Sequence, residues 1–133
     1  MQHRVFETVL YADDLAAMER FYGETLGLEI ISRSELLVSF RCERSVLLIF
    51  NRAQSSELGR DVPSHGTTGA GHVAFALRGE DFEMWIARLE QVQIAIEKVV
   101  PWEQGGRSIY FRDPAGNSVE LAPPTLWGGG WTF

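Results

Sequence analysis

The chain has 133 residues, 45% of them apolar and 23% charged, with a formal net charge of −6. This is enough for one soluble domain with a sizeable core, and the negative balance argues against a nucleic-acid or anionic-membrane partner. The longest apolar run, Val46 to Phe50, is far too short to span a bilayer, and a single cysteine, Cys42, excludes an intrachain disulfide. The N-terminus lacks the basic, apolar and small-residue succession of a signal peptide, so a reducing, cytoplasmic setting is expected.

In chain order, Arg4 to Tyr11 reads as a strand and "DDLAAMERFYGETLG" as a helix. Asp13 or Asp14 can cap that helix, Leu15, Met18, Tyr22 and Leu26 recur at helical spacing, and Gly27 with Leu28 has the chemistry of a helix stop. Three short strands follow at Glu29–Arg33, Leu36–Arg41 and Ser45–Phe50. Cys42 lies in the turn "FRCERS", where Arg41 and Arg44 would lower its pKa if they also lay near it in space; the alternative is an ordinary turn residue. The polar, Gly- and Ser-rich stretch 51–70 is either a plain link or a lid, and His65 within it could reach a site as a lid residue. His3 lies at the frayed N-terminus.

The pattern then restarts. "HVAFALR" is a strand, "GEDFEMWIARLEQ" a helix with Phe82, Trp85, Ile86 and Leu89 on one face, and Ile94–Val99, Arg107–Arg112 and Ser118–Leu121 are strands. Aligning Glu7 with His72 brings the first strands and helices into step, and "SVLL" at 45–48 then matches "SVEL" at 118–121. The β-α-β-β-β order therefore occurs twice. The expected organisation is one α+β domain over 1–133, with modules at 4–50 and 71–122, a link at 51–70 and a tail at 123–133. Asp113 to Asn117 has the chemistry of a tight turn, which would pair Tyr110 with Glu120 and Arg112 with Ser118. The tail "LWGGGWTF" carries two Trp and a Phe that either need burial across an interface or form a loose end.

"LYADDLAAMERFYGETLGLEI", "GHVAFAL" and "GGRSIYFRDPAGNSVEL", in this order and spacing, resemble the vicinal oxygen chelate superfamily over Phe6 to Leu121. That superfamily includes glyoxalase I, extradiol dioxygenases, fosfomycin-modifying enzymes and bleomycin-resistance proteins. The resemblance implies two paired βαβββ modules whose curved sheets form a cleft, with metal ligands on the first and last strands. Carried onto this chain, the ligands would be Glu7, His72 and Glu120, and Leu47 would stand where glyoxalase I has a fourth. The superfamily often has histidine where this chain has Glu7. Face parity agrees: Glu7 shares a face with Val9 and Tyr11, His72 with Ala74 and Ala76, and Glu120 faces away from Val119 and Leu121. One His and two carboxylates suit Mn²⁺, Fe²⁺, Ni²⁺ or Zn²⁺.

Fosfomycin-type members hold substrate with a serine and a tyrosine at positions matching Ser108 and Tyr110, although Val9 stands where they carry a threonine. Leu47 would make one side of the cleft apolar, and Trp102 and Arg107 are candidates for its rim. The resemblance thus implies a divalent-metal-dependent enzyme acting on a small oxygen-chelating substrate, with Glu7 or Glu120 moving the proton. Lyase or isomerase chemistry comes first and ring-opening dioxygenation second. The alternative is a metal-free protein sequestering an apolar or aromatic compound. A homodimer is the default expectation.

Overall fold

The computed structural model describes residues 3–133, which divide after Gly71 into two compact units. The first contains β1 (Glu7–Ala12), α1 (Leu15–Glu19) with a π-helical continuation over Arg20–Thr25, β2 (Glu29–Arg33), β3 (Leu37–Cys42), β4 (Ser45–Asn51) and α2 (Arg52–Ser56). The second contains β5 (His72–Ala76), a 3₁₀ turn at Gly79–Asp81, α3 (Phe82–Gln91), β6 (Ile96–Pro101), β7 (Arg107–Arg112) and β8 (Ser118–Ala122). Each unit is a four-stranded sheet, in the order β1-β4-β3-β2 in the first and β5-β8-β7-β6 in the second. The class is α+β and the βαβββ order appears in both units, as the sequence indicates. No helix among the described residues is long and apolar enough to cross a membrane.

In the first unit, the Asp14 carboxylate accepts from Ala17 N–H at 3.0 Å and caps α1. Beyond Glu19 the helix widens: Leu26 N–H bonds to the Phe21 carbonyl five residues back. Phe21 and Tyr22 are both buried, their rings edge to face at 4.9 Å. The wider turn lets two successive aromatics face the sheet, where Tyr22 meets Phe40. Gly27, at φ 75°, then lets Leu28 N–H reach the Tyr22 carbonyl, which closes the helix as expected. Leu10, Val38, Phe40, Leu47 and Ile49 complete this core from the strands. The stretch 51–70 is more structured than expected. Asn51 accepts from Gln54 N–H at 3.1 Å and caps α2, and His65 ties the following loop back by its N–H to the Ser55 carbonyl.

In the second unit, Phe82 and Leu89 of α3 and Ile109, Phe111, Val119 and Leu121 of β7 and β8 are all buried and form its apolar core. The register between β7 and β8 is set by the Asp113–Asn117 turn. Oδ1 of Asp113 accepts from the N–H groups of Ala115 and Asn117, each at 2.9 Å, and Oδ2 accepts from Asn117 Nδ2 at 2.8 Å. Gly116 takes φ 84°, a left-handed position that favours glycine. Tyr110 therefore pairs with Glu120 and Arg112 with Ser118. Parallel pairing of β5 with β8 sets His72 against Ser118 and Ala74 against Glu120.

Because Asp113 is buried and its carboxylate accepts from the Ala115 and Asn117 N–H groups and from Asn117 Nδ2, Asp113→Ala leaves these donors without that acceptor. It should lower the unfolding free energy by about 1–3 kcal/mol. Urea denaturation measures this, with exposed Asp61→Ala, expected to be neutral, as the control.

Candidate functional site

The pairing of β5, β8 and β7 gathers His72, Glu120, Ser108 and Tyr110 on the sheet face opposite α3. Glu120 is not the solvated side chain that an alternating strand would suggest. It is 4% exposed, and a buried carboxylate persists only when its oxygens are satisfied. Ser108 Oγ donates to its Oε1 at 2.6 Å, and the Trp102 indole N–H donates to Ser108 Oγ at 2.8 Å. Tyr110 also hydrogen-bonds to the carboxylate. Burial first, and then this negatively charged acceptor, push the Tyr110 phenol up to about 12, so it keeps its proton and remains a donor at neutral pH.

His72 completes the arrangement. Its Nδ1 lies 3.1 Å from the Ser118 carbonyl, which can only accept, so Nδ1 carries the proton. In the neutral ring this leaves a lone pair on Nε2, which faces Glu120 Oε2 at 3.3 Å. Two lone pairs opposed at this distance repel unless a proton or a cation lies with them. The imidazole ring stacks on Tyr110 with 6.5 Å between centroids and 20° between planes. An imidazole oriented by a backbone carbonyl beside an oriented carboxylate is the donor chemistry of a divalent-cation site. The pair fits two protein ligands. Among the described residues no three His, Cys, Asp or Glu side chains are grouped to hold a metal ion. Glu7, the third expected ligand, belongs to the first unit, at the exposed start of β1.

Other residues lie elsewhere than expected. Leu47 is 2% exposed, paired with Thr8 and Phe40 in the core of the first unit, and does not share Glu7's face. Glu7 pairs with Val46, as His72 pairs with Ser118, and Val9 pairs with Leu48, as Ala74 pairs with Glu120. Leu48 is therefore the counterpart of Glu120. Matching "SVLL" to "SVEL" slipped by one residue, which in a strand reverses the face. Arg107 is not on the Glu120 face either: it points to α3, ion-paired with Glu83 at 3.0 Å and stacked on Phe82 at 3.6 Å. Cys42 has no activating arginine in Arg41, which pairs with Glu29, and burial raises its pKa. His65 hydrogen-bonds to the Tyr11 hydroxyl at 2.7 Å and meets Phe50 edge to face at 4.6 Å, which pins the 57–71 stretch onto the first unit.

A cavity of about 470 Å³ opens beside His72 and Glu120. Ala74 and Ala76 leave room on its floor, and the C-terminal Trp127 and Trp131 line its sides. Aromatic composition signalled that the tail needed a partner surface; nothing local in the sequence said which.

The family profile described as Glyoxalase/Bleomycin resistance protein/Dioxygenase superfamily matches residues 4–121. The metallothiol transferase FosB of Staphylococcus epidermidis is 39% identical over 74 residues, covering 55% of this chain and 50% of that protein. The chain thus matches about half the length of FosB. The glutathione transferase FosA of Serratia marcescens is 33% identical over 116 residues, covering 84% of this chain and 74% of that protein. A crystal structure of lactoylglutathione lyase from Agrobacterium tumefaciens superposes with a TM-score of 0.92 at 40% identity, covering 98% of this chain and all of that one.

Two outcomes test the electrostatics. In an alkaline titration, the phenolate absorbance lost in Tyr110→Phe should lie near pH 12. The raised pKa makes the folded form hold this proton more tightly. Its contribution to stability is thus whole below pH 10 and lost as the pH rises through about 12, so wild type should lose stability relative to Tyr110→Phe across that window. Separately, Cys42 should react with a thiol reagent at neutral pH more slowly than free cysteine does.

Proposed function

The chain belongs to the glyoxalase/bleomycin resistance protein/dioxygenase superfamily, and on that footing we propose that it is a divalent-metal-dependent enzyme acting on a small oxygen-bearing substrate. The observation that carries this is the opposition of His72 Nε2 and Glu120 Oε2 at 3.3 Å, in a network that orients both. His72 and Glu120 would hold the ion, with Glu7 as the third ligand, and Mn²⁺, Fe²⁺, Ni²⁺ or Zn²⁺ suits that set. When bound, the ion supplies Lewis-acid polarisation of a substrate oxygen.

The protein's own groups do the rest. Ser108 and Tyr110 both donate to the Glu120 carboxylate, so Glu120 is held in a fixed orientation. Either glutamate, Glu7 or Glu120, could carry a proton to and from substrate. Tyr110 keeps its proton and can donate to an oxygen that gains charge in the transition state. Trp102 acts through Ser108, keeping that hydroxyl aimed at Glu120. Lyase or isomerase chemistry is the first choice, supported by full-length likeness to a lactoylglutathione lyase. Thiol transfer is second, supported by the names of FosB and FosA and by Ser108 and Tyr110 at the matching substrate positions. The buried carboxylate beside an oriented imidazole counts against a metal-free sequestering protein. We also propose that the chain is a homodimer, as is common in this superfamily.

Metal analysis after reconstitution tests this. About one divalent ion per chain is expected in the wild type, with most of it lost in His72→Ala and in Glu120→Ala. Wild-type protein that takes up none of the four metals, or His72→Ala that keeps its metal, would refute it. The loaded enzyme should then turn over methylglyoxal with glutathione at roughly 10 per second if it is a lyase of that kind. An epoxide consumed with a thiol instead would favour transfer.

A further inference from the structure

The C-terminal stretch is rich in glycine and carries three aromatics with large exposed areas: Trp127 at 81%, Trp131 at 61% and Phe133 at 46%. Its first part, Pro123 to Gly128, is nonetheless fastened. Gly106 sits at φ 79°, and a Cβ there would come within 2.6 Å of the Pro123 ring, so the turn and Pro123 pack directly on one another. Thr125 Oγ1 donates to the Gly105 carbonyl at 2.5 Å, and Gln104 Nε2 donates to the Leu126 carbonyl at 2.8 Å. Leu126 and Gly128 N–H groups bond to the carbonyls of Pro123 and Thr125, giving the segment successive turns. The loop that fastens the tail also begins with Trp102, whose indole leads through Ser108 to Glu120.

The tail and the sheet face line the open 470 Å³ cavity, with His72 and Glu120 as its polar groups and Trp127, Trp131 and Phe133 among its apolar ones. That volume lies in the range of small-molecule sites. No lysine or arginine lines it, so nothing in the wall favours an anionic body such as a phosphonate. Flat aromatic walls favour a flat aromatic guest.

We propose that the segment 123–133 is the specificity wall of the His72–Glu120 site and selects a substrate with a flat, uncharged aromatic body and its oxygen donors at one end. The inference rests on the metalloenzyme reading for the role of those polar groups, and on the cavity itself for the body.

Calorimetric titration of the full chain tests it with two probes. One is a hydroxynaphthoate with its hydroxyl ortho to the carboxylate; the other is lactate, which has similar donors and no ring. Wild-type protein should bind hydroxynaphthoate at least about tenfold more tightly than lactate. Trp127→Ala/Trp131→Ala should lose roughly tenfold in hydroxynaphthoate affinity and leave lactate unchanged. Both residues are exposed, so the thermal midpoint should hold, and Trp127→Phe/Trp131→Phe should recover binding. Hydroxynaphthoate affinity indifferent to the tail overturns the proposal, as does a double variant that only converts a dimer to a monomer, which would make the tail an interface. Metal content separates the two readings. A protein that takes up no metal but still loses hydroxynaphthoate affinity in the double variant overturns the metalloenzyme and keeps the wall. A metal-loaded protein insensitive to the tail does the reverse.

Discussion

One hydrogen bond organises the site: the 3.1 Å contact between His72 Nδ1 and the Ser118 carbonyl. A carbonyl only accepts, so the contact assigns the imidazole proton to Nδ1 and leaves Nε2 to face Glu120. Without it the ring could turn or change tautomer, and its exposed face would have no reason to present a lone pair to a carboxylate. The contact depends on backbone register, since Ser118 is the residue paired with His72. Side-chain chemistry at this site is therefore set by strand pairing.

Register itself rests on the Asp113 turn. A slip of one residue between β7 and β8 would send Glu120 into the apolar layer under α3 and bring Val119 or Leu121 to the site. The buried Asp113–Asn117 lattice makes such a slip costly, because each displaced N–H would be left without its acceptor. The same face parity separates Arg107 from the network, whereas Arg112 shares the parity of Tyr110 and is held away from it by its ion pair and by the Gly116 carbonyl. Arg107 joins Glu83 on the helix side, and Arg112 pairs with Glu97 on β6. His72 is the basic side chain that faces Glu120.

Much of this was legible in local chemistry. Asp14, Gly27 and Leu28 are helix-boundary signals, and the structure uses all three as such. Asp113 and Gly116 marked a turn of the right length, so the pairing of Tyr110 with Glu120 followed. Quantities that depend on distant neighbours were not legible. Leu47 was assigned to the wrong face because a short apolar match can be aligned with equal ease one residue off, and only the pairing of β1 with β4 decides. Arg107 and Glu83 are far apart in sequence, as are His65 and Tyr11, and neither pair leaves a local pattern. The Trp102–Ser108–Glu120 chain needed a loop conformation that glycines at 105 and 106, both at positive φ, make possible without specifying.

The central claim is that the Ser118 carbonyl holds His72 with Nε2 ready to bind a cation beside Glu120. Nitrogen NMR of the His72 ring, at neutral pH and through a zinc titration, measures this directly. The account predicts a proton on Nδ1 throughout and a Nε2 resonance that moves to that of a metal-bound nitrogen as zinc saturates, with no such change in Glu120→Ala. A bare Nδ1, or a Nε2 that keeps its proton in saturating zinc, would contradict it.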